Sequence, residues 1–281
     1  MAARLRRFVK LWVDLFAKHA LLDHASSIAF AVLKALVPLT LLGLALLGAL
    51  GQEKVWKNTL APGLRPEVQP ATFNAIDAAV QRIFSTSSGG LIAFASLLAA
   101  WYISGAVRGV MTGINAIYEC EETRSWKVRY AISIALGVAI AVCVIGAALA
   151  VFAGPELARH GGLGVVVDVG RWVAAVLLLL AAVGLHVRFA PVEPRSNGWV
   201  TGGSLVVILA WVAASMIFKL FVTDVANFKT ATGSLTVFLV LTGYVYTSSI
   251  IFLVGVEVDE LLREDATEGQ RGVLGILGIA R

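Results

Sequence analysis

Six stretches of this chain are long and apolar enough to cross a bilayer. They lie at approximately residues 28–51, 89–110, 130–153, 166–190, 198–221 and 233–260. About 20 apolar residues are needed to span the hydrocarbon. There, every backbone N–H and C=O must be bonded within the protein, which makes runs of this length helices. The chain is therefore expected to be all-α, a polytopic membrane protein with six transmembrane helices. Composition agrees, with 58% hydrophobic and only 15% charged residues, against about 25% charged in a soluble domain. The fourth run is weakened at its start by Asp168 and Arg171, and the fifth by Gly202 and Gly203.

The distribution of Lys and Arg predicts orientation. With the N-terminus inside, 14 of them fall on the cytoplasmic side and 8 outside, a bias that places both termini in the cytoplasm. The formal charge of +5 is read as orientation and contact with anionic lipid, and not as nucleic-acid binding. The run from Ile28 continues without a small-residue cleavage site, so it is expected to remain as the first span. The resulting division is residues 1–27 as a cytoplasmic amphipathic helix, 28–261 as the transmembrane domain and 262–281 as a cytoplasmic tail.

Two helices are expected to lie along the membrane or pack on the bundle. Between Leu5 and Leu22, apolar residues recur at Leu5, Phe8, Val9, Trp12, Leu15 and Phe16, opposite Arg6, Arg7, Lys10 and Asp14. The outer loop 52–88 carries Phe73, Ile76, Val80, Ile83 and Phe84 at similar spacing.

Charges inside the apolar runs are the candidate functional residues. A lysine in hydrocarbon costs roughly 3 kcal/mol on insertion scales, so Lys34 needs a place for its charge. Counted from Ile28 at 1.5 Å per residue, it lies about 9 Å deep. Glu257, counted back from Leu261, lies about 6 Å deep on the same side. The matched depths suggest a polar cluster or substrate path on the cytoplasmic side, containing Lys34, Arg108, Glu257 and Asp259. The alternative is that each side chain snorkels separately to the head groups. Pro38 frees a backbone carbonyl one turn after Lys34. Asn115 and Tyr118 continue the second span into an acidic stretch, Glu119, Glu121 and Glu122, read as a solvated, self-paired loop. Asp168 and Arg171 stand at i, i+3 and can pair. The loop TDVANFKTATGS is either an outer gate or a plain connection.

Other chemistry is poorly supported. Cys120 and Cys143 fall on different segments, which argues against a disulfide or a cysteine metal site. There is no phosphate-binding G-x-x-x-x-G-K-[ST] stretch. His19, His24, His160 and His186 do not cluster as a metal-dependent nuclease requires. No catalytic residue, metal or cofactor is assigned. The recurrent Gly43, Gly48, Gly51, Gly137, Gly146, Gly202 and Gly203 read as helix packing.

Three segments carry a resemblance. They are HASSIAFAVLKALVPLTLLGLAL, then WYISGAVRGVMTGINAIYECEETRSW, then the long run from RFAPVEPRSNGWVTGG to VGVEVDEL. Arg108, Asn115, Tyr118, Arg124, Pro191, Gly202, Gly233–Leu235, Gly255 and Glu257 hold the matching positions. In order and spacing these resemble the YihY/BrkB family of bacterial inner-membrane proteins. The sequence departs from that pattern at Lys34, Thr232 and Asp259. The resemblance implies six transmembrane helices and a multi-pass protein of the inner membrane. It also implies a role in the envelope, as a transporter or a translocator of lipid or another amphiphile. Membrane lipids are then the expected partners. The alternative is a scaffold that moves nothing. The family's older ribonuclease label is generally regarded as mistaken.

Overall fold

The computed structural model describes residues 2–66, 70–86, 89–158, 164–193, 201–222 and 233–268. These residues are helical almost throughout, without strands. The elements run α1 (Ala2–Lys18), α2 (Leu21–Ala49), α3 (Glu53–Val55), a π turn (Trp56–Leu60), α4 (Ala61–Leu64) and α5 (Pro70–Thr86). They continue with α6 (Gly89–Ile117), α7 (Trp126–Ala158), α8 (Gly164–Phe189), α9 (Gly202–Leu220) and α10 (Gly233–Glu268). Six of them, α2 and α6 to α10, are long and apolar enough to cross a membrane.

Several helices outrun their apolar cores. α6 extends to Ile117, and α10 continues past residue 260 to Glu268. Polar residues support the extension of α10, where Arg263 pairs with Glu260 one turn earlier, at 2.5 Å. The first amphipathic helix is shorter than its sequence pattern. It was expected to reach Leu22, but α1 stops at Lys18 and α2 begins at Leu21. Ala20 adopts φ +46, a left-handed conformation that ends a helix. For a residue with a Cβ this costs roughly 1–2 kcal/mol. α2 restarts on the Ala20 carbonyl, which accepts from Asp23 and His24 at 3.1 Å each.

The chain divides into two compact units. One comprises residues 1–28, 107–212 and 248–281, the other residues 29–106 and 213–247. In the second unit, Trp56, Ala61, Val80 and Phe84 are buried together, with Leu44, Leu47, Leu64, Phe73 and Ile76 around them. Phe73, Ile76, Val80 and Phe84 follow helical spacing along α5, so the predicted amphipathic helix of the outer loop forms and buries its apolar stripe. The Trp56 indole N–H donates to Asp77 at 2.7 Å, which satisfies its polar edge while the ring stays buried.

In the first unit, glycines set the closest helix approaches. A Cβ on Gly113 of α6 would stand 3.0 Å from Leu253 of α10, and one on Gly146 of α7 would stand 3.3 Å from Leu178 of α8. The tightest crossing joins α9 to α10. A Cβ on Gly203 would overlap the Gly255 carbonyl oxygen, and one on Gly255 would overlap a Val207 methyl group. Small residues permit such contacts in membrane bundles.

Candidate functional site: a buried acid–histidine pair

Glu257 lies on α10 with 1% of its surface exposed. A lone carboxylate so placed would cost several kcal/mol. Its partner is His19, whose Nδ1 lies 2.9 Å from Glu257 Oε2. His19 occupies the break between α1 and α2 and is 7% exposed. Its other ring nitrogen, Nε2, lies 3.5 Å from Glu119 Oε1. Glu119 follows the end of α6 in a left-handed conformation, φ +52, and also forms an ion pair with Lys18. One imidazole thus stands between carboxylates carried by two other elements.

A polar cleft of about 240 Å³ opens beside this group, walled by Leu15, Ile117, Tyr118 and Leu261. Hydrogen bonding to Lys18 holds the Glu119 carboxyl below its usual range, and the same bond raises the Lys18 ammonium. Both side chains are 61% exposed, so the pair itself is worth less than about 1 kcal/mol.

Asp259, two residues along α10, serves a different neighbour. Its carboxylate accepts from the Thr201 hydroxyl at 2.5 Å and the Gly203 N–H at 2.6 Å. It therefore caps the start of α9 from another helix, where the unpaired N–H groups favour an anion. Any side chain on Gly203 would collide with this carboxylate.

Asn115 bridges two segments. Its Oδ1 accepts from Val192 N–H at 3.0 Å and its Nδ2 donates to Glu122 at 3.3 Å. Arg124 completes the arrangement, donating to Glu122 at 2.7 and 2.9 Å and to the Ala190 carbonyl at 2.9 Å. The loop after α6 is thereby tied to the end of α8. Hydrogen bonding to Arg124 holds the Glu122 carboxyl below its ordinary range. Glu122 and Arg124 thus pair within the acidic stretch.

The remaining expected site residues have their own surroundings. Arg108 stacks over the Tyr130 ring at 3.9 Å. Lys34 belongs to the second unit, where its ammonium stands 4.4 Å from the centre of the Phe30 ring and the residue is exposed. Pro38 is buried in the same helix. Glu257 bonds to His19 within its own unit, and Lys34 lies in the other unit. Arg108, Glu257 and Asp259 each contact a different element, whereas Lys34 contacts Phe30 within its own helix. The loop TDVANFKTATGS falls mainly outside the described residues, as does His160, and the Asp168 side chain is outside them too.

Six long apolar helices and a buried ionisable pair define a multi-pass integral membrane protein. The chain belongs to the Virulence factor BrkB family, which it matches over residues 13–273. It is also similar to YfkH of Bacillus subtilis (strain 168), named as a ribonuclease-like protein. The two are 26% identical over 211 residues, covering 72% of this chain and 77% of the relative. No solved structure matches.

Proposed function

We propose that this protein is a transporter or a translocator of lipid or another amphiphile in the bacterial inner membrane, with both termini cytoplasmic, and that it contributes to envelope integrity. The observation that carries this reading is the Glu257–His19 pair beside the polar cleft. Ionisable residues within membrane-spanning helices are costly, and their usual place is a substrate or ion pathway. Membrane lipid supplies both surroundings and substrate in this reading.

A scaffold is the second reading, favoured by the Gly203–Gly255 crossing with its Asp259 cap, which joins helices without forming a path. The name of the B. subtilis relative raises a nuclease as a third. Among the described residues, no group of three or more His, Cys, Asp or Glu is placed to hold a metal ion. Within the cleft, Lys18 pairs with Glu119, His19 with Glu257 and Arg263 with Glu260.

The test is mass spectrometry of lipids that co-purify with the protein in nanodiscs, with Glu257→Gln alongside. Selective enrichment of one lipid class, lost in the variant, is the expected result. Bulk lipid composition in both samples would overturn the lipid reading and favour the scaffold.

A further inference from the structure

We propose that His19 is a proton-binding site that latches the junction of α1 and α2 to the end of α6 and to α10. The inference is independent of whether the protein transports or scaffolds.

A neutral imidazole has one N–H and one lone pair. If Nδ1 carries the hydrogen and donates to Glu257, the Nε2 lone pair faces the Glu119 carboxylate 3.5 Å away. If Nε2 carries it, the Nδ1 lone pair faces Glu257 at 2.9 Å, and that contact then needs a protonated Glu257. With both carboxylates ionised, either neutral form leaves acceptor against acceptor, and the Nε2–H form with a protonated Glu257 holds the same added proton on the other side of the 2.9 Å contact. With both carboxylates ionised, only the imidazolium offers an N–H to each. Nε2 is fully buried and lacks a hydrogen-bond partner, so no water-facing position relieves the conflict.

The charges around the site are mostly negative. Lys18 faces the site from α1, and Tyr118 and Glu119 face it from the end of α6. Glu257, Glu260, Arg263 and Glu264 face it from α10. Four glutamates stand against two cations, an excess of two negative charges that the imidazolium halves. Glu260 is engaged by Arg263 at 2.5 Å, and Glu119 is shared with Lys18. Glu119 stays ionised through the neutral range, because Lys18 lowers its carboxyl. The adjoining cleft gives protons an approach.

The break beside His19 makes the proton consequential. α1 joins α2 through the left-handed Ala20, so the angle of α1 depends on what holds His19 in place. With the proton bound, His19 ties this junction to two other helices. Without it, one tie becomes repulsive, and α1, still joined to Glu119 through the exposed Lys18, is freer to pivot on Ala20.

The full chain is placed in nanodiscs of phosphatidylethanolamine and phosphatidylglycerol. Nitroxide labels go on Ala17→Cys and Thr123→Cys, in a background of Cys120→Ser and Cys143→Ala. Pulsed EPR distances are followed from pH 5.5 to 9, with ¹⁵N-histidine NMR in parallel. The expected result is a narrow distance distribution at the acid end that broadens as pH rises, over the interval in which His19 loses its proton. His19→Gln should remove this transition. Glu119→Gln should move its midpoint to lower pH by roughly one unit, having lost one of the two carboxylates that favour the imidazolium. A distribution unchanged across the range overturns the latch, as does a transition that survives His19→Gln. Should His19→Gln fail to fold, a midpoint unmoved by Glu119→Gln overturns it equally.

Discussion

The Nδ1 of His19 lies 2.9 Å from Oε2 of Glu257, across 238 positions of sequence. The contact joins the end of an amphipathic helix to the last transmembrane helix, and both partners are buried.

Removing one partner should strand the other. His19→Ala leaves Glu257 buried without its counter-group, with an expected loss of roughly 3–5 kcal/mol. Glu257→Gln keeps a hydrogen-bonding group in the same volume and should cost far less. Thermal unfolding of both variants in detergent checks the order. Equal losses would contradict the buried pair.

The crossing of α9 and α10 should tolerate no side chain. Gly203→Ala places a methyl group into the Gly255 carbonyl and the Asp259 carboxylate, and overpacking of this kind costs about 1–3 kcal/mol or more. Gly43→Ala meets nothing within 4 Å and should be neutral or slightly stabilising. The two melting temperatures, measured side by side, test whether the glycines differ as described.

Arg124→Ala should release the loop after α6. It removes donors to Glu122 and to the Ala190 carbonyl, at an expected cost of about 2 kcal/mol. Arg124→Lys should rescue little, because one ammonium cannot reproduce the planar fork. Hydrogen exchange should rise over residues 118–125 and 190–193, with smaller changes elsewhere.

The Lys18–Glu119 pair should contribute little, and evenly, across neutral pH. Glu119 is lowered from its ordinary 4.5, so its contribution is present above that value and fades only as pH falls through the lower folded value. Lys18 is raised from 10.5, so its contribution is complete below that value and fades as pH rises through the higher folded value. Lys18→Ala should therefore cost less than about 1 kcal/mol, uniformly between roughly pH 5 and 10, and less still in high salt. Denaturation of wild type and variant at several pH values measures this. A difference that varied steeply near pH 7 would mean that the pair, and not His19, carries the neutral-range response.

The six spans were legible because hydropathy is a local property and lipid forces helix onto long apolar runs. The α5 stripe was legible for the same reason, since Phe73, Ile76, Val80 and Phe84 repeat at helical spacing. The break at Ala20 was not, because alanine carries no turn signal and its left-handed conformation reflects tertiary contacts. Glu257 was recognisable as a costly intramembrane carboxylate, but its partner was not. Depth counting gives position along the membrane normal and says nothing of which way a helix face points. Counting along the sequence gives Lys34 and Glu257 similar depths, and it could not show that Glu257 bonds to His19. His19 could have been suspected as a titratable residue closing an amphipathic helix just before a span. Asp259 shows the same limit, since capping the start of α9 depends on a helix crossing that only the fold creates.

The most direct test of the functional account is translocation of fluorescent phospholipid in proteoliposomes containing wild type, Glu257→Gln or Asp259→Asn. The account predicts translocation by wild type, its loss in Glu257→Gln with the fold retained, and activity in Asp259→Asn wherever that variant stays folded. Absence of translocation by well-folded wild type across the bacterial phospholipids, or full activity in Glu257→Gln, would contradict it.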